Sequence, residues 1–141
     1  MSRKDVNVST GSKSFNHLSQ YPTSLVFVGG PNAGASRGSV ASSTRRTFNQ
    51  ACEADYNLFR ECLKAALRAG LLAMAMEGCD AVLLAGVSTG LYAGPHKPRV
   101  LADFETIVNE LLGERIAHNP FGSAPRSLGE CFEEVVWTVL R

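Results

Sequence analysis

A parallel α/β fold is the architecture this sequence predicts, on three observations. Two short continuous apolar runs, residues 24–28 and 81–85, have the composition of strands buried on both faces. Between them lies a long run of apolar residues at three- and four-residue steps, and a second such run follows the later strand. Strand, helix, strand and helix in that order suit a parallel sheet, whose neighbouring strands need a long crossover to connect them.

Residues 1–23 are rich in Ser, Asn, Lys and Gly with few apolar anchors, and read as a flexible arm ahead of one domain over 24–141. The first strand, Ser24-Leu25-Val26-Phe27-Val28, is closed by Gly29-Gly30-Pro31-Asn32. Residues 33–49 show no clear period and read as a long loop. Asp55 is placed to cap a helix whose apolar stripe runs through Tyr56, Phe59, Cys62, Leu63, Ala66, Leu67, Gly70, Leu71 and Met74. Arg60, Lys64 and Arg68 fall on its solvent side, and Gly78 offers a stop. Cys79-Asp80 leads into the second strand. Helical spacing returns over 103–112 through Phe104, Ile107, Val108, Leu111 and Leu112, with Gly113 at the end. Residues 117–126 are turn-rich, and the closing segment 128–140, which holds Trp137, fits strand or helix equally.

Length and charge exclude several classes of function. The 141 residues match one hydrophobic core, and 45% hydrophobic against 19% charged residues is a globular balance rather than a disordered one. With 14 basic and 13 acidic side chains no global field draws the chain to nucleic acid or to an anionic membrane, so direct nucleic-acid binding is not expected. The longest apolar stretch is broken by Arg68 and is too short to span a bilayer. The basic start lacks an apolar h-region, which points away from secretion and towards the cytoplasm or nucleus. Cys52, Cys62, Cys79 and Cys131 form no CxxC pair and have no histidine at ligand spacing, so free thiols and no metal are expected.

The chemistry concentrates in one loop, Gly86-Val87-Ser88-Thr89-Gly90-Leu91-Tyr92-Ala93-Gly94. Glycines at 86, 90 and 94 let backbone N–H groups approach a ligand, and such a nest favours anions. Ser88 and Thr89 add hydroxyls for phosphate oxygens, and the ring of Tyr92 suits a ribose or base. The loop also leaves the carboxyl end of its strand, where open α/β sheets place their ligand crevice. A tight strand-to-helix turn needing glycine for backbone angles alone is the plainer reading of the same residues.

Val87-Ser88-Thr89-Gly90-Leu91-Tyr92, with Pro95 shortly after, resembles the second phosphate loop of the macro domain family, a Ser-Thr-Gly-hydrophobic-aromatic segment following an apolar strand. Leu25-Val26-Phe27-Val28-Gly29-Gly30-Pro31 is similar to the strand and Gly-Pro turn before the long helix of that family, so the resemblance covers residues 24–112. It implies a three-layer α/β/α sandwich with a partial or degenerate amino-terminal half. The implied ligand is ADP-ribose or a related nucleotide diphosphate, free or carried on an ADP-ribosylated protein. Ser88, Thr89 and Gly90 would lie at the phosphates, and Leu91 and Tyr92 near the distal ribose. No cofactor is implied. The sequence departs from the family in lacking an Ala-x-x-Asn element, a Gly-Gly-Gly loop and the adjacent glutamates of poly-ADP-ribose glycohydrolase relatives.

Other residues carry two readings each. His96 and Lys97 suit the rim of an anion site or plain solvation, and Arg45-Arg46 a pyrophosphate clamp or an exposed basic pair. Glu53 and Asp55 suit a general base or the positive end of a helix dipole. His17 and His118 lack partners at catalytic spacing, and Cys62 and Cys79 read as core residues. Three functions follow: a binding module for ADP-ribose, an ADP-ribosyl hydrolase, or a degenerate fold serving as an interaction module. No catalytic residue is identifiable, so the sequence leaves open whether the protein is an enzyme.

Overall fold

The computed structural model describes residues 2–11, 17–34, 43–116 and 126–138. It is a mixed α/β structure with two small sheets. Strands β1 (Ser2–Gly11) and β2 (His17–Val26) pair antiparallel, with Val8 opposite Tyr21 and Thr10 opposite Ser19. The hairpin stands where the sequence predicts a flexible arm. Val6, Val8 and Thr10 alternate with Asn7 and Ser9, a period of two in β-branched residues that the polar composition conceals.

Helix α1 (Ser43–Ala54) occupies the end of the expected loop. Helix α2 (Tyr56–Met76) follows as the capping pattern requires. Asp55 has extended dihedrals and its carboxylate accepts from the N–H groups of Asn57 and Leu58, satisfying two donors of the first turn. At the other end Gly78, at φ +74°, donates to Ala75 O while Cys79 donates to Met74 O. Those two bonds close a Schellman turn.

Phe59, Leu63, Leu67 and Leu71 are buried along one stripe of α2. They pack in one core with Val100, Phe104, Ile107, Val108 and Leu111 of α3 (Lys97–Gly113) and with Val82 and Leu84 of β3 (Ala81–Leu84). Each such side chain contributes about 1.5–3 kcal/mol on burial. Helix α3 begins six residues before the stretch read from spacing, because Pro98 in its first turn needs no N–H acceptor. The undecided carboxyl-terminal segment contains β4 (Glu134–Trp137), which pairs parallel with β3, Val82 opposite Val135 and Leu84 opposite Trp137.

The expectation that both apolar runs are buried on both faces is corrected. Leu25 and Phe27 point outwards, Phe27 at 68% exposure, and Leu83 is 67% exposed on the outer face of β3. Helices among the described residues cover one face only, so the runs alternate between core and surface despite their uniform composition. The first run also joins β1 rather than β3.

Arg60, Lys64 and Arg68 do not simply face solvent. They face carboxylates of α3: Arg60 Nε lies 2.6 Å from Asp103 and its Nη2 lies 2.8 Å from Glu110, Lys64 lies 2.8 Å from Glu110, and Arg68 Nε lies 2.6 Å from Glu114. Spacing of four residues lines the three cations along one side of α2. Hydrogen bonds from Arg60 and then Lys64 hold the Glu110 carboxyl down at about 2, below its ordinary 4.5. A carboxylate whose folded pKa is depressed contributes stability that is present above the unfolded value and lost as pH falls through the folded one. The melting temperature should therefore fall between pH 4.5 and about 2, and Glu110→Gln should flatten that part of the profile in scanning calorimetry. An unchanged slope in the variant would remove Glu110 from the acid response.

Candidate functional site

The 86–94 loop leaves the carboxyl end of β3 and enters a 3₁₀ turn, Leu91–His96, before α3. It interlocks with the chain that follows β2. Ala33 N–H donates to Tyr92 O at 2.8 Å, and Ser88 Oγ donates to Pro31 O at 2.7 Å. A Cβ at Gly34 would strike the Leu91 carbonyl oxygen, and one at Gly94, itself at φ +53°, would strike that of Ala33. Glycine at both positions lets the two backbones meet.

Two side chains of the loop are engaged in or beside this contact. Ser88 is buried at φ +53°, and Thr89 is fully buried with its hydroxyl donating to Gly86 O at 2.7 Å. A hydroxyl has one proton to donate, so both hydroxyls brace the loop rather than offering that proton to a phosphate. The backbone is arranged differently. Val87 N–H donates to Ala85 O, Thr89 N–H to Gly86 O and Ala93 N–H to Gly90 O. Among the described residues nothing accepts from the N–H groups of Ser88, Gly90, Leu91 or Tyr92. Leu91 at 87% and Tyr92 at 56% exposure project from the turn that carries two of these groups. Four such donors fall within five residues just past the carboxyl end of a parallel strand, and a run of free backbone N–H groups carries positive partial charge.

No family model, curated protein or solved structure matches this chain.

The remaining candidates fall away from the loop. His96 Nε2 lies 2.8 Å from Cys52 O, and since a carbonyl only accepts, Nε2 carries the proton. Its ring packs 5.4 Å from both Tyr56 and Phe59, so His96 ties the 3₁₀ turn to α1 and α2. Lys97 is exposed at the start of α3. Asp55 is the cap of α2, as the dipole reading has it, and Glu53 is half-buried on α1. Asp103 accepts from Tyr56 Oη at 2.9 Å and from Arg60 Nε, and lines a cavity of about 390 Å³ with Arg99 and Asn57. Burial and the bond to Asp103 push the Tyr56 phenol up to about 12. Arg99, which no local sequence pattern singles out, holds its guanidinium 4.0 Å over the Tyr56 ring. The side chains of Arg45, Arg46 and His17, and all of His118, lie outside the described residues.

All four thiols are free and, among the described residues, no cluster has a metal-ligand set. Burial first, then Cys62, pushes the Cys52 thiol up to about 11. Because the thiolate is the reactive species, iodoacetamide should label Cys62, Cys79 and Cys131 before Cys52, with all four reacting in denaturant under non-reducing conditions. Rapid native labelling of Cys52 would contradict its place in the core.

Proposed function

We propose that this chain binds ADP-ribose or a related nucleotide diphosphate through the backbone of the 86–94 loop. The observation that carries the reading is the set of N–H groups at Ser88, Gly90, Leu91 and Tyr92 that nothing among the described residues accepts from. A diphosphate supplies acceptors at the spacing of successive amides, and charge-assisted bonds to N–H groups are the stronger class of hydrogen bond. Gly86, Val87 and Thr89 hold the loop in shape. Leu91 and Tyr92 give an apolar and an aromatic surface beside the donors for the distal ribose. In this reading the small parallel sheet belongs to a macro-domain-like three-layer α/β/α sandwich. The ligand is held free or on an ADP-ribosylated protein.

Binding is favoured over hydrolysis of an ADP-ribosyl bond by the engagement of the carboxylates of Asp55 and Asp103. Asp55 caps a helix and Asp103 is bound by a tyrosine and an arginine, whereas a general acid or base must reach the reacting proton. Grip on phosphates alone stabilises ground and transition states alike and does not raise the rate of the bound complex. Calorimetric titration with ADP-ribose, ADP and NAD tests the proposal, with adenosine as the ligand lacking phosphate. The three diphosphates should bind and adenosine should not. Absence of heat with every diphosphate at millimolar concentration overturns the reading, and multiple turnovers on an ADP-ribosylated protein would make the chain an enzyme.

A further inference from the structure

Among the described residues, strand β3 is paired along one edge and unpaired along the other. Glu133 and Glu134 N–H groups donate to Asp80 O, and Thr138 N–H donates to Leu84 O, so the even-numbered residues turn their polar backbone towards β4. Backbone groups alternate sides along a strand, which directs the N–H and C=O of Ala81 and Leu83 to the opposite edge. Among the described residues no strand pairs there, since β2 belongs to the other sheet. That edge lies on a cavity of about 750 Å³ whose far wall is β2 at Thr23 and Leu25 and whose helical side includes Met74. The exposed side chain of Asp80 stands at one end of the strand.

We propose that this groove binds an extended segment of another protein by strand addition to β3, with a lysine or arginine of that segment set against Asp80. Backbone amides and carbonyls on an open edge call for another backbone, which separates this site from a pocket for a small apolar molecule. Two walls limit what can enter. Thr23 and Leu25 of β2 line the same cavity as the β3 edge, and a groove walled by two strands suits a single extended segment better than the edge of a second folded sheet. The four residues of β3 offer about 13 Å of edge, enough for about four residues of the segment. Residues of the segment facing α2 meet Met74, while those facing outwards join Leu25 and Leu83, so a run of β-branched residues fits both faces.

The test uses the intact chain and the acetylated, amidated peptide Lys-Val-Ile-Val-Thr-Lys, with lysine at both ends so that either strand direction meets Asp80. Hydrogen exchange followed by NMR should find the Ala81 and Leu83 amides unprotected in the free protein and slowed about tenfold or more at saturating peptide. The same peptide N-methylated at its valines and isoleucine should give no protection. Asp80→Lys should weaken the lysine peptide about threefold, the size of an exposed ion pair, and strengthen a version ending in glutamates. Protection of both amides before peptide is added, no protection at millimolar peptide, or equal effects from the N-methylated peptide each overturn strand addition. Indifference of both peptides to Asp80→Lys overturns the basic residue in the occupant.

Discussion

Gly90→Glu is expected to weaken ADP-ribose binding by about 100-fold or more while leaving the circular dichroism spectrum close to that of the parent. A Cβ built at Gly90 meets nothing within 4 Å, so the side chain has room, while the backbone at φ −94°, ψ −124° lies outside the regions favoured by residues with a Cβ and costs some stability whichever side chain is introduced. Its carboxylate then lies beside the N–H groups proposed to hold the diphosphate and competes for them as a built-in anion. It also repels the ligand: two unit charges about 4 Å apart interact by about 4 kcal/mol at an effective dielectric near 20. Half of that exceeds a tenfold loss, and the diphosphate carries more than one charge. Gly90→Gln has nearly the same shape without the charge and should cost much less. Undiminished affinity in folded Gly90→Glu would remove the loop from the site.

The elements most legible in the sequence are those whose pattern and boundary signals agree. For α2 the apolar steps, Asp55 at the start and Gly78 at the stop all point to one helix, and each does in the structure what its chemistry favours. The hairpin and α1 were hidden for opposite reasons. In β1 the alternation is carried by Val and Thr among polar residues, so composition outweighs period, whereas α1 begins with Ser43 and Thr44 and two arginines that resemble a loop. The apolar runs mark strands without marking what covers them. A continuous apolar run reports that a strand can be buried twice over, and only the packing decides whether a second layer is there.

Close backbone approach at the 86–94 loop is legible in its glycine spacing, and the structure shows that approach between the loop and the 29–34 segment. The division of labour within the loop is not. Ser88 and Thr89 read as phosphate donors, yet their hydroxyls bond to Pro31 and Gly86, a choice fixed by the 57-residue separation between Ser88 and Pro31 that no local pattern expresses. The ladder between α2 and α3 was half visible. Arg60, Lys64 and Arg68 show their common face, but their partners Asp103, Glu110 and Glu114 lie more than 40 residues away.

Gly94→Ala is expected to lower stability by about 3 kcal/mol and to abolish the proposed binding at the same time. Two costs combine. An alanine held in the left-handed region at φ +53° carries strain of about 1 kcal/mol or more, and its Cβ is directed at the carbonyl oxygen of Ala33, a backbone atom that cannot rotate aside. Relief requires the 29–34 segment to move off the loop, which stretches the Ala33 to Tyr92 bond and uncouples Ser88 from Pro31. The donors of Ser88, Gly90, Leu91 and Tyr92 then lose the frame that aligns them. For a domain of this size the loss corresponds to a fall in melting temperature of about 10 °C. Gly113→Ala is the matched control, because a Cβ there meets nothing within 4 Å. If Gly94→Ala melts with the parent and binds as tightly, the interlock between the two glycine-containing segments does not shape the site.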